Sequence, residues 1–291
     1  MIDKCWICSQ NKLKLVKPGN IDSSLTSQSF EITDKEYGVT GDIFLCNSCG
    51  FLQCHKLPNV LKYYEEMEDN NYHKTSAQRS LQMKKILKSI APYKNHGKLL
   101  DIGAGSGLLV HEAVTLGFKA KGIEPSIWLQ KIAVNNGLNV ILGTLPHPSI
   151  KQKFDVITLV DIIEHVSNPV EILKDVYSAM DENGIGLLIT PDVNSLMAKI
   201  LKWKWWHYRI AHIGYYNKET IELCLINAGF KIISISRPTW YFSADYLIKR
   251  MMKYLPSFMH FSVSSKLSKF TVPLNLYDSL QVFFVKNKET L

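Results

Sequence analysis

The chain has 291 residues, 46% of them apolar, which is enough to bury one full core and leave material for a small second module. No apolar run approaches the roughly 18 residues that a membrane span needs, and the opening MIDKCWIC lacks the basic-then-apolar layout of a secretory signal; the expectation is a cytosolic, cytoplasmic protein with reduced thiols. The net charge of +8 is uneven, with 13 Lys and Arg against 10 Asp and Glu in 1–97, 13 against 13 in 98–236 and 8 against 3 in 237–291, and this neutral middle argues against nucleic acid as a partner.

Residues 1–58 are rich in Cys, Gly and polar side chains and show little periodicity. Cys5 and Cys8 form one C-x-x-C, and Cys46 and Cys49 form another. Paired knuckles in a reducing compartment point to zinc, because the ion takes four thiolates tetrahedrally and each turn supplies two. Cys54 and His55 stand close enough to exchange with a ligand and are read as bystanders. Four thiolates leave no open coordination position, so this zinc is expected to be structural.

Residues 59–96 read as a helical lead-in, with Leu81, Ile86, Leu87 and Ile90 about one turn apart. From 97 onward, short apolar runs at 98–102, 119–123, 138–142, 154–160 and 184–190 alternate with helical stretches, one of them 169–178 with Pro169 in its first turn. Such alternation predicts an α/β fold, a doubly wound parallel sheet of the Rossmann-like kind. Two further strands, 230–236 and 280–285, leave no room for a simple helical crossover and predict an antiparallel pair with a basic amphipathic insertion at 241–275.

The stretch KLLDIGAGSGLLV places Gly103, Gly105 and Gly107 in a G-x-G-x-G turn, which departs from the G-x-G-x-x-G of dinucleotide sites. Asp101 ends the preceding strand, where a carboxylate repels pyrophosphate and attracts an ammonium group. Glu124 ends the next strand, where a carboxylate can hold a ribose diol. A nucleoside with a cationic amino-acid tail and no phosphate describes S-adenosyl-L-methionine. With LLDIGAGSG, GIEPS and FDVITLVDIIEHV, the chain resembles the class I S-adenosylmethionine-dependent methyltransferases over roughly residues 75–236. The resemblance implies a seven-stranded sheet with its last strand antiparallel. It also implies that Asp101 lies near the methionine amino group, that Gly103 and Gly105 pass under the ligand, and that Glu124 holds the ribose. Gly107 and Asp161 complete the expected cofactor contacts; the stretch LGTLPH lacks the acidic residue that often meets adenine. The CNSCGFLQ block followed by YYEE resembles the start of the zinc-ribbon-containing sugar and small-molecule methyltransferases.

In VDIIEHV, Asp161, Glu164 and His165 stand at i, i+3 and i+4, so a helical turn would present all three on one face, with His165 as general base for a hydroxyl acceptor. The block also resembles the E-x-x-E-H pattern of the ubiquinone-pathway O-methyltransferases and the small-RNA 2′-hydroxyl methyltransferases. That resemblance implies a divalent ion there, held with a downstream histidine such as His207 or His212; packing and capping roles are the alternative. The aromatic stretch WKWWHYRIAHIGYY, 203–216, is expected to overhang the acceptor, and 244–270 to rest on an anionic membrane surface or to cap its own domain. The leading reading is methyl transfer to a hydroxyl, or an activated carbon, of a small-molecule, sugar or glycan-like acceptor. The rivals are an RNA methyltransferase gripping RNA through the zinc module and a cofactor-binding protein without turnover.

Overall fold

The computed structural model describes residues 4–21, 25–31, 37–55, 57, 60–69 and 76–288. The expected boundary at 58/59 and residues 70–75 of the lead-in fall outside this set. The cysteine segment folds as an antiparallel sheet of β1 (Leu13–Lys17), β2 (Asp42–Cys46) and β3 (Leu52–His55), with β2 in the middle. The lead-in contributes α1 (Val60–Glu65) and α2 (Ser76–Ile90), and α2 buries Ile86, Leu87 and Ile90 against the main sheet.

The alternating segments then form β4 (Lys98–Ile102), α3 (Leu108–Thr115), β5 (Lys119–Glu124), α4 (Ile127–Asn135), β6 (Val140–Leu142), β7 (Phe154–Val160), α5 (Pro169–Ala179) and β8 (Met180–Pro191). After α6 (Leu196–Leu201) come β9 (Gly214–Tyr215), α7 (Lys218–Asn227), β10 (Phe230–Ser236), β11 (Trp240–Ser243), α8 (Ala244–Met252), β12 (Thr271–Leu274) and β13 (Ser279–Lys286). The main sheet has seven strands in the order β10-β13-β8-β7-β4-β5-β6, and β13 runs antiparallel to both neighbours while the other pairs are parallel. This is the expected Rossmann-like arrangement. The strand order reverses between β4 and β7, so a ligand crevice opens beyond the carboxyl ends of those two strands.

Both faces of the sheet are covered, and the period-two alternation within single strands shows it. Leu99 and Val156 face α2 and α3, whereas Leu100 and Ile157 face α5 and α7. Three features escaped the sequence. β9 pairs with β3, so the cysteine sheet takes its fourth strand from the following domain. Cys5, Cys46 and Phe51 share a core with Tyr216, Ile221 and Phe230. The insertion is closed at its base by the β11–β12 hairpin. Among the described residues, no helix is long and apolar enough to cross a membrane.

Candidate functional site

The first element of the site is the turn after β4. Gly103 has φ of 69°, a region that L side chains disfavour, and a Cβ there would collide with Ile162 Cδ1. Gly107 begins α3 with φ of 80°, and a Cβ on it would lie 2.6 Å from Leu138 Cδ1, so this glycine allows α3 to pack closely on the segment before β6. Gly105 N donates to Glu124 Oε2 at 2.7 Å and Ser126 N to Glu124 Oε1 at 2.8 Å, so Glu124 clasps the turn to the end of β5. Asp101 accepts from Thr158 Oγ1 at 2.6 Å.

Both carboxyls are buried, and burial pushes each up to about 7. The Thr158 bond pulls Asp101 back and the nearby Glu124 raises it further; the two amide bonds pull Glu124 back. Two desolvated carboxyls beside a close-approach glycine turn suit a ligand that brings a cation and hydroxyl donors. The residues therefore fit the sulfonium nucleoside.

The second element follows β7. Asp161 is half-buried in left-handed backbone, φ 54°, and precedes a short 3₁₀ turn over Ile163–His165. The expectation that Asp161, Glu164 and His165 share one helical face is thus corrected: the strand ends in a kink at Asp161, and Asp161 is not among the residues whose potential ligand atoms converge. Glu164, His165 and His212 come together instead, with one potential ligand atom from each inside a 4.8 Å span. His165 Nδ1 lies 2.8 Å from the Ala211 carbonyl, a contact that assigns the ring proton to Nδ1 and leaves Nε2 as the acceptor. Burial, with Arg209 nearby, lowers His165 to about 4, and burial with the His165, Arg209 and His207 charges drives His212 well below its usual value. Both rings are neutral near pH 7.

Glu164 accepts from Thr190 Oγ1 at 3.0 Å through Oε2, whereas its Oε1 and His212 Nδ1 are buried and without hydrogen-bond partners among the described residues. Burial raises Glu164 well above the carboxylate range, and Asp161 raises it further. One carboxylate oxygen and two imidazoles form a donor set suited to a divalent ion. Asp161 itself is pushed up to about 7 by burial, with Arg79 opposing and Asp278 adding to the shift. His207 stacks on His212 at 5.7 Å, with Nε2 3.5 Å from Asp278; it is a neighbour of the Glu164–His165–His212 group.

The middle of the aromatic stretch packs inward. Trp205 is fully buried against Ile43, Ala198 and Tyr215, and Trp206 Nε1 donates to Asp278 at 3.0 Å. These rings anchor the loop that carries His207 and His212. Sequence reasoning missed Asp278, Thr158, Thr190, Arg79 and Arg209. Asp278 had a usable signal, because an acid just before an antiparallel strand arrives at the end of the sheet where the parallel strands finish.

The third element is the cysteine cluster. Cys5 Sγ lies 3.5 Å from Cys49 Sγ, and Cys8 Sγ lies 3.5 Å from Cys46 Sγ; all four sulfurs fall within a 4.8 Å span. A tetrahedral zinc site with ~2.3 Å Zn–S bonds has edges of about 3.8 Å, so the donor set and spacing fit that ion. Burial raises Cys5 to about 11. It would raise Cys46 too, but the Cys49 and Ser48 amides and the neighbouring thiols hold Cys46 at about 7. Cys54 and His55 stay outside the cluster: Cys54 N donates to Ile213 O at 2.7 Å, and the His55 ring packs 5.3 Å from Trp6 and meets Gln53 Nε2. Ile213 N in turn donates to Glu164 O at 2.8 Å, which joins the cysteine sheet to the 163–165 turn through one residue.

Comparison with known proteins shows that residues 76–235 match the family model for a methyltransferase domain. The chain is 36% identical over 112 residues to the ubiquinone biosynthesis O-methyltransferase of Pelagibacter ubique, covering 36% of this chain and 46% of that protein. It is 27% identical over 113 residues to the mitochondrial ubiquinone biosynthesis O-methyltransferase of Schizosaccharomyces pombe, covering 36% and 41%. The match thus spans less than half the length of either relative. A solved S-adenosylmethionine-dependent methyltransferase from Archaeoglobus fulgidus aligns with a TM-score of 0.49 at 18% identity, covering 75% of this chain and 100% of that one.

Proposed function

The chain belongs to the methyltransferase domain family as a class I S-adenosylmethionine-dependent enzyme, and from that premise we propose that it methylates a hydroxyl, or an activated carbon, of a small-molecule, sugar or glycan-like acceptor. The relatives' names, ubiquinone biosynthesis O-methyltransferases, favour the hydroxyl. The observation that carries the reading is the Ala211 carbonyl on His165 Nδ1, which leaves Nε2 as a neutral acceptor beside the cofactor crevice.

S-adenosylmethionine supplies the methyl group as a sulfonium. Asp101 would hold the ammonium group of its amino-acid tail, and Glu124, which already accepts from Gly105 N and Ser126 N, would hold the ribose hydroxyls. His165 Nε2 then accepts the proton that the acceptor hydroxyl loses as its oxygen becomes the nucleophile. A second reading rests on the unpartnered Glu164 Oε1 and His212 Nδ1, because Glu164, His165 and His212 would hold a divalent ion. Such an ion would lower the acceptor hydroxyl's pKa. Cys5, Cys8, Cys46 and Cys49 would hold a structural zinc, closed to substrate.

The test is release of S-adenosylhomocysteine by purified protein across phenols, nucleotide sugars, lipid-linked glycans and RNA, with His165→Ala beside wild type. Turnover on a hydroxyl-bearing small molecule that collapses in His165→Ala supports the proposal. Turnover on RNA alone, or full activity in the variant, overturns it.

A further inference from the structure

The loops beyond the carboxyl ends of β8 and β10 have an apolar and basic outer side. On α6, Leu196 and Ile200 are 65% and 60% exposed, while Met197, Ala198 and Leu201 turn inward onto Trp205. The insertion that carries α8 adds Met251, Phe258, Phe261 and Phe270, between 62% and 85% exposed, and α8 buries none of its residues. The two parts meet where Tyr254 Oη donates to Lys204 O at 3.1 Å and where the Arg250 guanidinium lies 4.7 Å over the Tyr37 ring that stacks on Tyr254. Segment 196–204 carries three Lys and segment 244–270 carries five Lys and Arg, against Asp245 alone, which pairs with Lys249 at 2.9 Å.

Exposed aromatic and methionine side chains interleaved with long-stemmed cations have the chemistry of an interfacial surface. The apolar groups enter the headgroup boundary, and the lysines extend to the phosphates. An acidic protein would satisfy the cations but would leave little use for a phenylalanine 85% exposed at the tip of the insertion. Tyr246 feels the charges of Arg209 and Arg79, the cations that act on His165 and Asp161. We propose that α6 and the 244–270 insertion dock this protein on an anionic lipid bilayer surface, with the crevice end of the main sheet turned toward it. The docking rests on the surface alone, and its meaning for the acceptor rests on the methyltransferase reading.

Wild-type protein should co-sediment with vesicles of phosphatidylcholine plus phosphatidylglycerol, not with phosphatidylcholine alone, and salt should release it. Lys266→Glu with Lys269→Glu should weaken binding about fivefold or more per site, and Phe258→Glu with Phe261→Glu should abolish it. Both pairs should keep the wild-type melting temperature and S-adenosylmethionine affinity. Absence of binding to anionic vesicles at low salt overturns the proposal, as does binding that the phenylalanine pair leaves intact. Binding to polyglutamate as tight as to vesicles would assign the surface to an acidic protein and also overturns it. Failure to bind S-adenosylmethionine by calorimetry would defeat the functional reading and leave the vesicle result standing.

Discussion

Cofactor binding should depend on pH through Asp101 and Glu124, both pushed up to about 7 in the empty site. A ligand ammonium group favours ionised Asp101, so binding releases a proton wherever the empty site holds one. A carboxyl of pKa about 7 is about nine-tenths ionised at pH 8 and about one-tenth ionised at pH 6. Affinity should therefore fall about tenfold, or about 1.4 kcal/mol, between those values if Asp101 alone must ionise, and roughly a hundredfold if Glu124 must as well. Isothermal calorimetry with S-adenosylhomocysteine, in buffers of different ionisation enthalpy, measures both affinity and proton release. The sign for stability is opposite. Each folded pKa lies above its ordinary carboxyl value, so the buried groups favour the folded state at low pH and that advantage is lost as pH rises toward 7 and beyond. Asp101→Asn should then melt higher than wild type at pH 8 without ligand, with a ceiling of about 4 kcal/mol, and should bind cofactor far more weakly. An affinity constant within twofold from pH 6 to 8, without proton release, would refute the reasoning.

Freshly purified, reduced protein should contain close to one zinc per chain by metal analysis, and Cys46→Ser should lower the melting temperature of the whole protein, because Cys46 shares a core with Ile221 and Phe230. His165→Ala should lose roughly 10²–10⁴ in turnover; a mild chelator that spares the thiolate zinc should match that loss if Glu164, His165 and His212 hold an ion, and change nothing if His165 acts alone. Gly103→Ala should cost about 2–4 kcal/mol in denaturant unfolding, from left-handed backbone and the clash with Ile162, and Ile162→Ala should return part of that stability; an additive double variant would show that the clash is absent.

The residues legible in sequence were those whose chemistry is local. Asp101, the glycines and Glu124 announce themselves through strand-turn-helix patterns only a few residues long. Apolar runs likewise set strands β4, β5, β7, β8, β10 and β13 to within a few residues of their bounds. What stayed hidden depends on distant partners. β9 is two residues long and exists because β3 offers it an edge. Thr158 matters because β7 lies beside β4, and Asp278 because β13 enters beside β8. The kink at Asp161 also broke the helical spacing on which the one-face expectation rested, since a 3₁₀ turn starting after a left-handed residue does not keep the i, i+4 relation.

The single-residue link through Ile213 has a consequence for biosynthesis. β3 leaves the ribosome long before Gly214 and Tyr215, and at 5–20 residues per second the delay is on the order of 10–30 s. During that interval the nascent chain carries an open strand edge, with the Cys54 amide still waiting for the Ile213 carbonyl. Early metal capture would lock the N-terminal knuckles while that edge stays open, and closure would come only when residues 213–215 emerge and bring Glu164 into register. The turn that carries Glu164 therefore gains its Ile213 partner late, and the site is complete only after Asp278 and β13, which emerge later still, enter between β8 and β10.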